Sequence, residues 1–161
     1  EYLQTQIQAA EEHSLDYVRL AHCPLGATAE VIRTSALKDV HASIDPEVSE
    51  YMMLYLFDPK KYRCGYIKVS EKDYSTYNLS VDTQEDLDRT KRLLEDIAPQ
   101  SPAALTLDNL LSRIDEAPEA YPRVSLESSI KYPYEKRITY QEYLDDMAWR
   151  YEASYEIEYP K

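Results

Sequence analysis

Asp82 is the side chain whose type and position best suit it to bind a ligand. It follows the apolar run 77–81, which predicts a strand, and it precedes a helical pattern that begins near Gln84. In an open α/β sheet, ligands bind in the crevice outside the strand ends. A carboxylate there can hold Mg²⁺, which takes one or two protein carboxylates together with waters and substrate phosphates. From position alone, a carboxylate that caps the helix or interacts with its dipole is the commoner case. The metal ligand and the structural carboxylate therefore both remain as alternatives.

The histidines and cysteines do not form a recognisable site. His22 lies next to Cys23, but Cys64 and His41 are far away in the sequence, outside the short spacings of zinc or redox motifs. Cysteines in short apolar strands are usually buried structural residues. We therefore expect reduced, structural cysteines and a cytoplasmic protein.

The tyrosines concentrate in the last part of the chain. Eight of the 16 lie after residue 120. Thr139 and Glu142 predict a capping box for a helix. Its buried side would comprise Tyr143, Leu144, Met147, Ala148 and Tyr151, and a short strand pattern follows at 155–159. A stacking platform for sugars or bases is one use of such tyrosines, but a core or a subunit contact is commoner. We expect residues 119–161 to be a folded extension and a candidate surface for a homodimer.

Alternating helices and strands must position these residues. The patterns predict helices over 1–13, from Thr34 or Ser35 to 40, from Asp45 to 58, over 84–97 and over 105–117, with strands at 17–20, 30–32, 64–69 and 77–81. Helix 84–97 is the best specified. Thr83 and Asp86 form its capping pattern, and an apolar stripe and two opposite-charge pairs follow: Leu87, Thr90, Leu94 and Ile97, with Glu85–Arg89 and Asp88–Arg92. This alternation is typical of the α/β class.

Length, composition and charge narrow the functions further. The chain has 161 residues, of which 43% are hydrophobic, enough for one domain with a real core. Its net charge of -12 repels nucleic acid and anionic membranes, and no apolar run is long enough to span a bilayer. We therefore expect neither nucleic acid nor a membrane as a partner. Only Gly26 and Gly65 are glycines, so the chain contains no glycine-rich phosphate loop.

Several segments resemble the C-terminal half of the cytidylyltransferase-like family, which includes the spore coat polysaccharide biosynthesis protein F and, more distantly, the CMP-KDO synthetases. The similar segments are 16–20, the segment 23–26 with its Pro-Leu-Gly turn, the Glu-Val strand at 30–32, the Ser-Ala-Leu helix start at 35–37, and segments 59–66 and 105–118. The most recognisable is 79–87, which resembles a strand of the family that ends in a Val-Asp-Thr-x-Glu-Asp-Leu motif. Together these cover about residues 1–118.

The resemblance implies a Rossmann-like, glycosyltransferase-A type fold for residues 1–118. It also implies Mg²⁺-dependent transfer of a nucleotidyl group from a nucleoside triphosphate to a sugar, with release of pyrophosphate. Asp82 then corresponds to a metal ligand, and Glu30 to a residue that faces the sugar-binding crevice. No catalytic residue is assigned. The family's glycine- and arginine-containing loop and its middle aspartate motif would precede Glu1, and Tyr51 replaces a histidine of the family.

Two hypotheses follow from these observations. The first is that the chain is the substrate-side part of a longer nucleotidyltransferase that activates a sugar for surface or spore coat polysaccharide synthesis, and is inactive alone. The second is a non-catalytic interaction or regulatory module that has kept the sheet without the nucleotide loop. The sequence does not identify the base or the sugar.

Overall fold

The computed structural model of the chain describes residues 2–45, 52–97, 105–134 and 136–159. Its architecture is mixed α/β, and the chain divides into two compact units. The first unit comprises residues 1–21, 29–68 and 125–161, and the second comprises 22–28 and 69–124. Within the described ranges, no helix combines the length and apolar character needed to cross a membrane.

The elements follow one another along the chain in the order α1 (Tyr2–Glu12), β1 (Tyr17–Ala21), β2 (Glu30–Ile32), α2 (Thr34–Ser43), α3 (Met52–Leu56), β3 (Cys64–Lys68), α4 (Gln84–Ile97), α5 (Leu107–Glu116), a 3-10 helix (Pro118–Ala120), β4 (Ser129–Tyr132), β5 (Lys136–Thr139), α6 (Tyr140–Glu152) and β6 (Tyr155–Glu156). The predicted start of α3 at Asp45 and Pro46 lies mostly outside the described residues. All other predicted helices are present, with ends shifted by a few residues.

A four-stranded mixed sheet forms the centre of the first unit. Its strand order is β2-β1-β3-β6, with β1 antiparallel to β2 and parallel to β3, and β3 parallel to β6. In this register Arg19 lies opposite both Glu30 and Tyr66, and Tyr66 lies opposite Glu156. Directly paired residues point to the same face of a sheet, so these four side chains form one row across all four strands.

Two aromatic side chains pack against that face of the sheet: Phe57, which follows α3, and Tyr151 of α6. The ring of Tyr17 lies 5.4 Å from Phe57, and the ring of Tyr66 lies 4.9 Å from Tyr151. Val18 and Ile67, which point to the opposite face, are also fully buried. Helix α1 contacts β1, β2 and β3. Both faces of the sheet are therefore in the core.

The C-terminal segment is folded, as its pattern predicted. Thr139 and Glu142 form the expected capping box: the Thr139 hydroxyl accepts from the Glu142 amide at 3.2 Å, and Glu142 Oε2 accepts from the Thr139 amide at 2.7 Å. Strand β6 joins the sheet through β3. The predicted buried side is wrong at Ala148, which is exposed, whereas Arg150 is buried. The boundary at residue 118 and the homodimer stay predictions.

A second capping prediction is wrong. Neither Thr34 nor Ser35 caps α2, because Arg33 occupies the N-cap position and its side chain makes no capping hydrogen bond. Instead, Arg33 donates from Nε and Nη2 to the Leu15 carbonyl oxygen and pairs with Asp16 at 3.1 Å. The start of α2 is held by this link to the loop before β1.

The predicted strand at 77–81 does not form in the second unit. Only Tyr77 and Asn78 make single β-bridges, to Arg123 and Leu25 respectively. Beyond them, the Ser80 amide donates to Asn78 Oδ1 at 3.0 Å, and the Asp82 amide donates to Asp86 Oδ2 at 3.2 Å. Side chains thus take the amides that a β-ladder would need. Asp82 consequently lies in an irregular segment before α4 and not at the end of a strand.

Helix α4 is present as predicted, and two leucines of its apolar stripe are exposed. Leu87 and Leu94 are 38% and 37% exposed. Its ion pairs also differ from the predicted ones, because Arg89 pairs with Asp86 at 2.6 Å and Lys91 with Asp88 at 3.6 Å, three residues apart in each case. The spacing identified a helix correctly but not the partners of its side chains.

Candidate functional site

Two of the segments that carry the family resemblance meet in the second unit. The turn at 24–26 pairs with the segment before Asp82: the Leu25 amide donates to the Tyr77 carbonyl and the Leu79 amide donates to the Leu25 carbonyl, both at 2.9 Å. Gly26 has φ +84°, and a Cβ at this position would lie 2.6 Å from the Ser80 backbone nitrogen. Glycine is therefore required for this close approach.

Asp82 itself is exposed at the end of this paired segment. The Ser80 hydroxyl lies 2.8 Å from Asp82 Oδ2 and 2.7 Å from Asn78 Oδ1, and its single proton can serve only one of them. Oδ1 of Asp82 accepts no hydrogen bond within the described ranges, and no described cation pairs with this carboxylate. The charge of Asp82 is therefore available to an incoming ligand.

A separate network holds the backbone around Asp82. The Asp86 carboxylate accepts from the backbone amides of Asp82 and Thr83 at 3.2 and 2.9 Å, and from the Thr83 hydroxyl at 2.7 Å. Arg89 pairs with Asp86 and donates to the Ser80 carbonyl at 3.0 Å. The Thr83 hydroxyl and then Arg89 hold the pKa of Asp86 at about 2. Thr83 and Asp86 thus cap the helix together, because the Thr83 hydroxyl also accepts from the Asp86 amide at 3.2 Å, and the Asp82 side chain takes no part in the cap.

The surroundings of Asp82 are suited to Mg²⁺ only if the ligand supplies most of the oxygens. Among the described residues, no group of three or more His, Cys, Asp or Glu side chains converges to hold a metal. Mg²⁺ is usually held by one or two carboxylates and completed by waters and phosphate oxygens. A single carboxylate with one free oxygen fits that mode of binding, and a protein cage does not exist here.

Glu30, the second predicted site residue, lies on the edge strand β2 of the first unit. It is half-buried, pairs in register with Arg19, and makes no ion pair with a described cation. The nearby Tyr17 hydroxyl is buried and has no hydrogen-bond partner within the described ranges. Burial raises the pKa of Tyr17 well above its ordinary value, and the Glu30 carboxylate raises it further. Tyr17 therefore remains a neutral potential donor beside Glu30.

The sequence reasoning missed Arg19, which is 7% exposed and has no carboxylate within ion-pairing distance in the described ranges. It donates to the Leu20 carbonyl at 3.3 Å and to the thioether sulfurs of Met53 and Met147 at 3.1 and 3.6 Å. Its guanidinium also lies over the rings of Phe57 and Tyr151, at 5.4 and 5.8 Å. These soft and aromatic contacts accommodate a cation that burial would otherwise disfavour.

Burial by itself lowers the pKa of a guanidinium, but Tyr151 and the other ionisable groups around Arg19 outweigh it. The pKa of Arg19 therefore lies above its ordinary value, and the buried charge persists. Tyr66 and Glu156 continue the row of side chains that runs from Glu30 through Arg19 across the sheet. Tyr66 donates to Glu156 at 2.8 Å, and Lys68 pairs with Glu156 at 3.2 Å. Burial, followed by the bond to Glu156, raises the pKa of Tyr66 to about 12.

The remaining candidates are placed as structural residues. Both cysteines are buried and neither is in a disulfide, and burial raises the pKa of the Cys64 thiol to about 12. His22 has a left-handed backbone with φ 61°, and its Nδ1 lies 2.8 Å from the Ser70 carbonyl oxygen. The tyrosines of the C-terminal segment contact different partners, so they do not form one stacking platform: Tyr134 meets Tyr55, Tyr151 meets Phe57 and Tyr66, Tyr155 meets His13, and Tyr159 meets Tyr2.

Glu30 and Asp82 belong to different compact units, and each is described within its own. Both keep a carboxylate without a cationic partner among the described side chains. The roles of Asp82 in metal binding and of Glu30 in substrate binding stay predictions. No protein-family model, curated protein or solved structure matches this chain.

Proposed function

We propose that this chain is the substrate-side part of a cytidylyltransferase-like sugar nucleotidyltransferase with a Rossmann-like, glycosyltransferase-A type fold. The observation that carries the proposal is the junction of segments 24–26 and 77–82, which ends in an exposed Asp82 that makes no ion pair with a described cation. Residues 24–26 and 79–82 belong to two segments that resemble that family in sequence, and these segments are more than fifty residues apart. Their direct pairing is what a shared functional site requires.

In this proposal each predicted residue has a limited role. Asp82 holds Mg²⁺, which when bound supplies positive charge to the phosphates of a nucleoside triphosphate. Glu30 accepts hydrogen bonds from hydroxyl groups of the sugar. A sugar hydroxyl oxygen bonds to the α-phosphorus and gives up its proton to solvent, the bond from that phosphorus to the β-phosphate oxygen breaks, and pyrophosphate leaves.

The proposed setting is the cytoplasm, where nucleoside triphosphates are available and both buried cysteines stay reduced. The product would enter surface or spore coat polysaccharide synthesis. Residues 119–161 form the proposed homodimer contact. The nucleotide-gripping loop is proposed to lie in a preceding part of a longer chain, because this chain has only two glycines.

Pyrophosphate release tests the proposal. The full-length product of the natural gene is incubated with Mg²⁺, CTP and a panel of sugar acids and amino sugars. Turnover with at least one sugar, absent without sugar and absent for residues 1–161 alone, is the expected result. Turnover by residues 1–161 alone would show that the site is misplaced, and a full-length product inactive with all four nucleoside triphosphates would contradict the enzyme assignment.

A second candidate function, a non-catalytic interaction module, is favoured by α4. Leu87, Leu94 and the preceding Val81 are 38%, 37% and 49% exposed. Apolar side chains at helical spacing on an open face are typical of a protein contact. Replacing Leu87 and Leu94 with Gln should change the oligomeric mass in light scattering if α4 is a self-contact, whereas an unchanged mass would contradict that form of the alternative.

A further inference from the structure

We propose that the groove between α1 and the open edge of β2 binds an extended, basic segment of another protein, which joins the sheet as an additional strand. The groove has a volume of about 500 Å³, within the range of ligand sites. All of its lining residues belong to the first unit. Neither Glu30 nor Asp82 lines it, and the inference does not depend on nucleotidyl transfer.

The outer edge of β2 presents backbone groups that no strand of the described ranges uses, because β2 is the first strand in the order β2-β1-β3-β6. Tyr17 lies opposite Ile32, and the Tyr17 amide donates to the Arg63 carbonyl on the β3 side at 3.4 Å. Tyr17 and Ile32 are therefore a pair without mutual hydrogen bonds, so the amide and carbonyl groups of Ile32 point away from β1. An incoming strand meets these groups at the open edge.

The groove opens along this edge and not over one face of the sheet. A face contributes alternate residues of a strand, but the groove is lined by four consecutive residues, 31–34. Opposite them, Ile7 and Ala10 of α1 form an apolar wall, and Ile7 is 43% exposed. An open strand edge beside an apolar wall is the arrangement that binds a peptide by strand addition.

Side chains fix both ends of the groove. Before β2, the buried Gln6 side chain of α1 donates to the Ala29 carbonyl at 2.9 Å. After β2, Arg33 donates from Nη2 to the Leu15 carbonyl at 3.0 Å, which connects it to the loop that follows α1. The separation of α1 and β2 is therefore set before a ligand arrives, and this lowers the entropic cost of binding.

The charges of the groove select a basic occupant. Only two of its lining residues are charged, Glu11 and Arg33, and Arg33 already pairs with Asp16 at 3.1 Å. Glu11 makes no ion pair within the described ranges, so its carboxylate is the uncompensated charge of the groove. A second copy of the chain carries the same net charge of -12, and like charges disfavour its approach through this edge.

The spacing of the wall residues defines the pattern of the occupant. Ile7 and Glu11 are four positions apart on one face of α1, which corresponds to about 6 Å along the helix axis. Residues two apart in a strand share a face and lie about 6.6 Å apart. A segment with an apolar residue and a Lys or Arg two positions apart therefore matches both side chains.

The first test uses two peptides that differ in one side chain, acetyl-Val-Thr-Lys-Thr-Val-amide and its neutral analogue with Gln in place of Lys. Binding to the full chain is measured by NMR titration. We expect the Lys peptide to bind about threefold or more tightly, the range of an exposed ion pair, and both peptides to shift amide signals of residues 30–34. Glu11→Gln should abolish this preference. Glu12→Gln, an exposed glutamate of the same helix outside the groove, should preserve it.

A second pair of peptides tests strand addition. Only alternate amides of an added strand face its neighbour. The Lys peptide is therefore N-methylated either at both Thr residues or at Lys and the last Val. One of the two methylated peptides should bind at least about tenfold more weakly, because it has lost its hydrogen bonds to β2, and the other should keep the affinity of the unmodified peptide.

The apolar wall is tested with Ile7→Gln, which should weaken the Lys and Gln peptides alike by about threefold or more. Leu3→Gln is the matched control and should leave binding unchanged, since Leu3 is also exposed on α1 but does not line the groove.

Four results would overturn the inference: equal binding of the Lys and Gln peptides, an unchanged preference in Glu11→Gln, equal effects of the two methylation patterns, or no binding at concentrations on the order of 10 mM. A chain that is dimeric without peptide and monomeric as Ile7→Gln in light scattering would assign the groove to a second copy and would also overturn it.

Discussion

The two predicted site carboxylates are positioned in different physical ways. Glu30 lies in a strand whose backbone is held by the sheet, half-buried beside a buried arginine and a buried tyrosine. Asp82 lies in an irregular, exposed segment whose backbone amides are held by side chains. Packing therefore positions Glu30, whereas a hydrogen-bonded loop positions Asp82. Substitutions in the core should therefore disturb the position of Glu30, and substitutions that alter the backbone or the helix cap should disturb the position of Asp82.

The largest expected loss of stability comes from a substitution in the core beside Glu30. Arg19→Ala should lower the free energy of unfolding by about 3 kcal/mol, because it leaves a cavity among Phe57, Tyr151 and two methionines. Arg19→Met should restore most of that loss, since the arginine has no paired carboxylate to abandon. Urea unfolding measures both, with the exposed Arg137→Ala as control. Equal losses for Ala and Met would mean that the charge itself stabilises the sheet.

The next largest loss of stability comes from a substitution in the turn that pairs with the segment before Asp82. Gly26→Ala should cost about 2 kcal/mol, because it combines a left-handed φ with a Cβ 2.6 Å from the Ser80 backbone nitrogen. Gly65→Ala is the matched control. Its Cβ would meet Leu15 Cδ1, also at 2.6 Å, but that is the movable end of a side chain, so about 1 kcal/mol is expected. A larger loss at Gly65 would reverse this ranking.

The helix caps of the two units should contribute similar amounts to the free energy of unfolding. Thr139→Ala and Thr83→Ala each remove a hydroxyl that accepts from a backbone amide at 3.2 Å, and each should cost about 1 kcal/mol. Thr139→Ser and Thr83→Ser should retain most of the stability because the hydroxyl remains. Chemical denaturation of the four variants makes the comparison. A serine variant as unstable as its alanine counterpart would show that the lost methyl group, and not the cap, matters.

The free energy of unfolding should depend on pH through Asp86, which holds the backbone around Asp82. The pKa of Asp86 falls from about 3.8 to about 2 on folding, so its stabilising contribution is complete above pH 4 and is lost as the pH falls towards 2. Asp86→Asn should be less stable than the wild type at pH 6, and the difference should shrink through this window. A difference that stays constant down to pH 2 would contradict the network around the loop.

Local sequence signals predicted the elements better than their contacts. The capping boxes at Thr83 and Thr139 depend on residues three apart, and both are present. The strand at 77–81 failed because Asn78 and Asp86 bind nearby backbone amides, a competition that the apolar pattern does not show. Arg19 was missed because two of its partners, Met53 and Met147, lie 34 and 128 positions away. No local pattern marks a charge that is buried by such distant residues.

The central claim is that the Asp82 carboxylate serves a ligand and not the fold. The most direct test compares Asp82→Asn with Asp88→Asn, an exposed carboxylate within α4, in the proposed full-length nucleotidyltransferase at ordinary Mg²⁺. We predict that Asp82→Asn lowers the kcat for pyrophosphate release by about 100-fold or more with an unchanged Tm, while Asp88→Asn keeps near-normal kcat. Near-normal turnover by Asp82→Asn would contradict the account and return Asp82 to a loop-stabilising role.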